Sequence, residues 1–327
     1  MCTQQIHSSS AAPAGRPEPA VPPIRAVRPA QDRRGWSGRS RRDFLVFLAM
    51  ALPNLLLIGT FTYWPLINNI YYSTLDWTLG SASATVVGLQ NYVTFFTSED
   101  APKVLGTTAI FTLVTVGGSM VLGLLVALAF NSKVRGTTFA RSAVFAPYVL
   151  SGVGVGLVWL FIFDPGYGVL TWMLRGFGQQ SPQWINDPQL SLVMVIVVYV
   201  WKNLGYCAVV YLAGLQSLPR DVMEAAALDG ANSARRFFSI SMPLLSPTTF
   251  FLLITTMLSS LQAFDLIRIM TPLGNGTSTL IYEAYLQAFG AYNRAGYSAA
   301  ISVVLFVILL IITVLQLRFV ERKVHYS

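Results

Sequence analysis

Ionisable side chains are what this sequence has least of. Only 11% of its 327 residues are Asp, Glu, Lys or Arg, while 54% are apolar. A soluble domain carries roughly 25% charged residues. The polar surface is therefore too small to keep a globule in water, and lipid is the implied solvent. Histidine occurs twice, at His7 and His325 in the two ends, so no histidine metal cluster is expected. Cysteine also occurs twice, at Cys2 in the N-terminal tail and Cys207 inside an apolar run, which argues against a disulfide framework. No G-x-x-x-x-G-K-[ST] motif is present, so the chain brings no phosphate cradle of that kind. A membrane-embedded enzyme such as a lipid-linked transferase would need acids or histidines gathered at one membrane face. Instead Asp76, Glu99, Asp100, Asp164 and Asp187 are scattered over polar connections.

What is present is a series of long apolar runs. Six of them, at roughly 44–72, 107–131, 141–163, 189–215, 243–267 and 296–320, are long enough to span a bilayer, which needs about 20 helical residues. Lipid cannot satisfy open backbone groups, and no run alternates as a barrel strand would, so all six are expected to be helices. The fold class is an all-α polytopic membrane protein. Pro53, Pro65 and Pro247 fall inside runs, where neighbouring helices tolerate kinks. "SGVGVGLVW", from Ser151 to Trp159, is read as a close helix-packing surface and not as a nucleotide fingerprint, since it lies within a span.

Residues 1–42 are rich in Pro, Ala, Ser and Arg and are expected to form a disordered basic tail, with "RRGWSGRSRR" beside the first span read as a topology anchor ahead of a contact with anionic lipid. No cleavable signal is visible, so the first span is expected to act as the insertion signal. Residues 43–327 form the membrane domain. With the N-terminus in the cytoplasm, seventeen Lys and Arg fall on the cytoplasmic side and four, Lys103, Arg175, Arg268 and Arg294, on the other. The positive-inside rule therefore predicts two cytoplasmic termini. It also accounts for the net charge of +8 without a nucleic-acid partner. The outer connections, about 73–106, 164–188 and 268–295, are rich in Gly, Pro, Trp and Tyr, and the last is expected to hold a short helix from about Thr279 to Phe289.

One polar block interrupts the apolar pattern on the cytoplasmic side: "EAAALDGANSARRFFSISMP", Glu224 to Pro243. Pro219 and Asp221 suit a helix start. Gly230 suits a left-handed helix end, and Asn232 or Ser233 suits a second N-cap. Two short helices meeting at a glycine are expected. Val222, Met223, Ala226 and Ala227 form a small apolar face that fits either a partner's groove or the membrane surface.

The pattern Glu224-Ala225-Ala226, then Gly230, then Ile240-Ser241-Met242-Pro243 resembles the E-A-A motif of permease subunits of ABC importers, with Met242 where leucine is usual. Over about residues 44–327 the chain is similar to the sugar-type, MalF-like subgroup, through "FTYWPLINNIYYS", "VGLQNYVTFF", "FAPYVLSGVGVGLVWLFIFDPGYG" and "LQSLPRDVMEAAALDGA". "TSTLIYEAY", "RRFFSISMPLLSP" and "QLRFVERKVHYS" look closer to the A-type permeases of glycerol 3-phosphate importers. The resemblance implies a type I ABC importer permease fold. It also implies import of glycerol 3-phosphate or a glycerophosphodiester such as glycerophosphocholine, or else of a sugar of the trehalose or maltose kind. A second related permease, two ATPase subunits and an extracytoplasmic binding protein are the implied partners. ATP and Mg would be bound by the ATPases, and this chain would carry no cofactor and catalyse no reaction. The segment of about 217–243 would dock on an ATPase through Glu224, Ala225, Ala226, Asp229, Gly230, Arg235, Arg236 and Pro243.

Few charges remain within the spans. Lys202, in "VYVWKNLGY", falls near the middle of the fourth. A charge there costs at least ~2.5–3.5 kcal/mol, so it must face a pathway or find a partner such as a backbone carbonyl. Asn203 is adjacent, and Tyr206, one turn on, shares its face. Near the end of the fifth span, Asp265 and Arg268 either pair with each other or line a gate, with Gln262 extending the stripe. A substrate phosphate would favour Lys202 or Arg268.

The charge asymmetry makes a direct prediction. A reporter fused after Tyr326 should behave as cytoplasmic, and one inserted near Gly178 as external. The reverse pattern would overturn the six-span reading.

Overall fold

The computed structural model describes residues 38–131, 137–290 and 292–320. Cys2, His7, His325, most of the basic tail and the last seven residues lie outside the described residues. The chain divides into two compact units, meeting in sequence at Ile58 and Gly59. The first contributes one helix, α1 (Gly38–Ile58). It begins within "GRSRR" and not at Asp43, because arginine is compatible with a helix and an apolar stretch follows directly. Its large apolar side chains from Phe44 to Ile58 are exposed, as a lipid-facing helix requires.

The second unit opens with a π turn at Gly59–Tyr63, then α2 (Trp64–Tyr72). A two-stranded antiparallel ribbon follows, β1 (Leu75–Asp76) pairing with β2 (Thr85–Val86). After α3 (Gln90–Thr97) comes the long α4 (Ala101–Phe130). Next are α5 (Thr137–Val149), α6 (Gly152–Phe163), α7 (Val169–Gly176) and α8 (Pro188–Gln216). The cytoplasm-assigned block holds α9 (Arg220–Leu228), α10 (Ser233–Arg236), a π turn at Phe237–Ser241 and α11 (Met242–Leu244). The chain then runs through α12 (Ser246–Leu261), α13 (Asp265–Met270), α14 (Leu280–Phe289) and α15 (Ala295–Leu315). The short outer helix expected at 279–289 is α14.

Five helical stretches are long and apolar enough to span: Arg42–Tyr72, Ala101–Phe130, Pro188–Gln216, Ser246–Met270 and Ala295–Arg318. The third expected span, 141–163, is not one straight helix. It is α5 and α6, bent by 99°. Pro147 lies in the last turn of α5 and Ser151 takes an extended conformation (ψ 133°) before Gly152 restarts the helix. Pro147 lacks an amide hydrogen and Ser151 leaves the helical region, so the intrahelical ladder fails there. Counted as one broken span, this pair makes six. The fifth span is also interrupted, at residues 262–264 between α12 and α13, and it starts at Ser246, downstream of Pro243.

Helix α8 is the element around which the unit packs. Its start is fixed by Pro188 and by the Asp187 carboxylate, which accepts from the amides of Gln189 (2.8 Å) and Leu190 (3.1 Å). Met194, Val195 and Val198 pack with Phe111 of α4, Val155 and Phe163 of α6, Ile267 and Met270 of α13 and Tyr282 of α14. Further along, Cys207, Tyr211, Leu212 and Leu215 pack with Ala127, Leu245 and Leu252. The "SGVGVGLVW" segment packs as a close helix surface, with Val155 and Gly156 buried and Ile269 of α13 against Gly156.

Candidate functional site: a coupling segment and an intramembrane cavity

The first candidate is the block after α8. Helix α9 ends in two hydrogen bonds that satisfy its last carbonyls. The Gly230 amide donates to Ala227 O (3.2 Å) and the Ala231 amide to Ala226 O (3.1 Å). This pairing is the Schellman motif, and it places Gly230 at φ +75°. No atom crowds the space where a Cβ would stand, so the demand for glycine comes from the backbone conformation alone. The second short helix is capped by Asn232, whose side-chain oxygen accepts from the Arg235 amide (2.8 Å). The π turn follows at once and leads through α11 to Leu245, which is almost fully buried.

The helices of this block present two faces. Met223 and Ala226 turn inward: Ala226 is buried, and the Ser241 hydroxyl donates to Met223 Sδ (3.8 Å). Asp221, Glu224, Ala225 and Leu228 are exposed at helical spacing, and Asp229 is exposed beyond them. The apolar face read from the sequence therefore divides, with Val222 and Ala227 outward and Met223 and Ala226 packed within the chain. The two arginines also part. Arg235 is exposed, whereas Arg236 is half-buried and lines a cleft behind the block with Glu224. Phe238, 70% exposed, stands outward beside Arg235.

The second candidate is a cavity of about 350 Å³ where the broken third and interrupted fifth spans meet α8. It gathers four of the six polar residues singled out in the sequence: Lys202, Asn203, Gln262 and Asp265. Tyr148, Tyr199 and Phe264 supply aromatic walls. Lys202 Nζ donates to Tyr148 O (2.8 Å) and Pro147 O (3.3 Å). These two carbonyls belong to the last turn of α5, where the bend removes the next amides. The ammonium also lies 5.5 Å from the centre of the Tyr148 ring. Tyr206 stacks on the same ring (4.9 Å between centroids, 17°) and its hydroxyl donates to Thr255 Oγ1 (3.3 Å). The shared face of Lys202 and Tyr206 thus meets at Tyr148. Asn203 donates to Tyr199 O (2.8 Å), one turn earlier on its own helix.

Asp265 and Arg268 are not a local pair: among the described residues they form no salt bridge with each other. Asp265 sits against Gly152 at the first turn of α6 and lines the same cavity as Lys202. Arg268 instead lies over the rings of Tyr285 (4.8 Å) and Phe264 (5.9 Å). Residues three apart on a six-residue helix are near neighbours, but the exposed guanidinium instead takes the aromatic face that α14 supplies. Sequence reading missed Tyr148, Tyr199 and Tyr285. Their signal was an aromatic residue in an apolar run, which does not separate a cavity wall from a core side chain.

Comparison with known proteins sets these two features in context. Residues 119–326 match the family described as "Binding-protein-dependent transport system inner membrane component". The chain is 38% identical over 286 residues to the sn-glycerol-3-phosphate transport system permease protein UgpA of Agrobacterium fabrum (strain C58 / ATCC 33970), covering 86% of this chain and 97% of that protein. The protein of the same name from Yersinia pestis is 35% identical over 281 residues, covering 85% and 95%. The fold is similar to that of a bacterial ABC transporter involved in import of the acidic polysaccharide alginate, with TM-score 0.76, 23% identity and coverage of 87% of this chain and 97% of that one. A structure of bacterial alginate ABC transporter in complex with alginate pentasaccharide-bound periplasmic protein gives TM-score 0.74 at 24% identity, covering 88% and 99%.

The geometry at Lys202 yields a prediction. Lys202→Met keeps much of the length but removes the charge and all three donors, leaving the Pro147 and Tyr148 carbonyls without that partner. The variant should still insert, and transport or its coupling to ATP hydrolysis should fall. Uptake kinetics equal to the parent's would show that the ammonium serves neither the bend nor the pathway.

Proposed function

We propose, from the premise that this chain belongs to the family of binding-protein-dependent transport system inner membrane components, that its two polar features divide the work of an importer. The chain is a transmembrane permease subunit of an ABC importer. Its substrate is glycerol 3-phosphate or a glycerophosphodiester such as glycerophosphocholine. The observation that carries this reading is the 38% identity, over nearly the whole length of the relative, to a glycerol 3-phosphate permease. The cavity supports it: Lys202 offers charge and hydrogen bonds to a phosphate, and Asn203 and Gln262 offer partners for hydroxyls. Asp265 with Tyr148, Tyr199 and Phe264 would suit the cationic end of a choline diester.

The coupling role falls to the block between α8 and α12. Its outward stripe, Glu224, Ala225 and Leu228 with Arg235 and Phe238 alongside, combines small, apolar and charged groups suited to docking on a separate ATPase. That ATPase would bind ATP and Mg. A second related permease would complete the pathway, and an extracytoplasmic binding protein would deliver substrate. In this arrangement the termini and the coupling block face the cytoplasm of a bacterial plasma membrane. The chain itself would catalyse no covalent step. Neutral sugars of the trehalose or maltose kind would make little use of Lys202.

Proteoliposomes carrying the chain with its cognate subunits test both halves. Labelled glycerol 3-phosphate or glycerophosphocholine should accumulate with ATP, and a large excess of maltose or trehalose should not compete. Glu224→Ala should weaken ATPase retention or uncouple hydrolysis from uptake. Gly230→Val should be the harsher change, because a β-branched residue at φ +75° costs about 1–3 kcal/mol. If both variants hold the ATPase and transport as the parent does, the block is not the coupling site.

A further inference from the structure

Behind the coupling block lies a cleft of about 880 Å³. It is formed where α4 and α8 end, by the near part of α5, and by α9, α10 and the π turn. Among the described residues three arginines line it, Arg141, Arg220 and Arg236, with one carboxylate, the exposed Glu224, at its edge. Apolar walls come from Leu215 and Phe237, among others. Arg141 is held in place by donating from Nη2 to Phe130 O (3.1 Å). Yet Nε of Arg141 and Nε of Arg236 are both buried, and among the described residues neither has a hydrogen-bond partner.

Buried charged donors are normally satisfied. Two on one cleft, from elements far apart in the chain, suit an acceptor with several oxygens and negative charge. A guanidinium fork matches carboxylate or phosphate. The cleft's position narrows the choice. Its walls are the last turns of two spans, so it opens at the membrane surface, where phosphate groups are dense and apolar walls meet polar heads.

We propose that this cleft binds a phosphate-bearing anion, held between Arg141 of the third span and Arg236 of the coupling block. The chemistry is shared by the headgroup of an anionic phospholipid and by a soluble phosphate. Bound there, the anion fastens α10 to α5 and so ties the coupling block to the span whose outer half is bent. Glu224 limits the site to ligands that the arginines can outbid it for. The inference is independent of which substrate crosses the membrane.

The test uses the chain assembled with its cognate subunits in lipid nanodiscs. In one arm the discs hold phosphatidylcholine with added phosphatidylglycerol, and native mass spectrometry counts retained phosphatidylglycerol. In the other they hold phosphatidylcholine alone, and equilibrium dialysis measures binding of labelled inorganic phosphate. The parent should retain phosphatidylglycerol, which identifies a lipid, or bind phosphate in the second arm, which identifies a soluble anion. Arg141→Gln and Arg236→Gln should each weaken that binding about tenfold or more. Arg318→Gln, exposed at the end of the last span and outside the cleft, should leave it unchanged, which separates a built site from bulk charge. If the parent binds neither probe, the proposal fails whatever the variants do. It fails equally if Arg318→Gln lowers binding as much as Arg236→Gln.

Discussion

The ammonium of Lys202 is the interaction on which the membrane part of this chain depends. Between α5 and α6 the third span turns through 99°, and a turn of that size inside a bilayer strips carbonyls of their helical amides. Non-helical backbone at that depth is tolerated where it lines a cavity and finds other donors. Lys202 supplies donors to Pro147 O and Tyr148 O from the middle of α8. Two costs cancel in part: a charge in the membrane and orphaned backbone acceptors. The same contact draws Tyr148 against Tyr206 and so defines one wall of the cavity. An anion entering that cavity would meet an ammonium already engaged by neutral carbonyls, which are weaker partners than a phosphate.

The path from the block proposed for coupling to that cavity is short and mostly helical. Helix α9 turns at Gly230 into α10, which runs through the π turn and α11 to Leu245 and α12. Leu245 is anchored among Tyr211, Leu212 and Leu215 of α8, and α12 continues to the interruption that holds Gln262. A push on the exposed face of α9 therefore meets a packed joint at Leu245, with α8 and α12 both leading to the cavity. The π turn places its irregular hydrogen bonding just before that joint, as such turns often do at functional positions.

Much of this was legible in the sequence. Hydropathy locates the straight spans because lipid imposes one demand on every residue of a run. Gly230 and Asn232 announce the helix end and the next cap because those conformations suit few residue types. The short outer helix at Leu280–Phe289 shows in its local pattern. The bend in the third span does not show, because hydropathy is blind to direction and "PYVLSG" remains apolar on average. The partners of Lys202 are backbone carbonyls, which every residue carries. Arg268 leaves Asp265 for Tyr285, a choice set by where α14 packs and not by spacing along α13. The division of Arg235 from Arg236, adjacent in sequence but opposite in role, depends on the helical rotation that Asn232 sets.

The central claim is that movement of the coupling block drives substrate through a pathway beside Lys202. Uptake and ATP hydrolysis measured together, in proteoliposomes containing the complete importer, test it most directly. The account predicts accumulation of glycerol 3-phosphate or its diester against a gradient. That accumulation should need hydrolysable ATP on the side of the coupling block, and binding protein on the other side should stimulate it. Equilibration down the gradient without ATP, at the same rate as with it, would contradict the account and make the chain a channel.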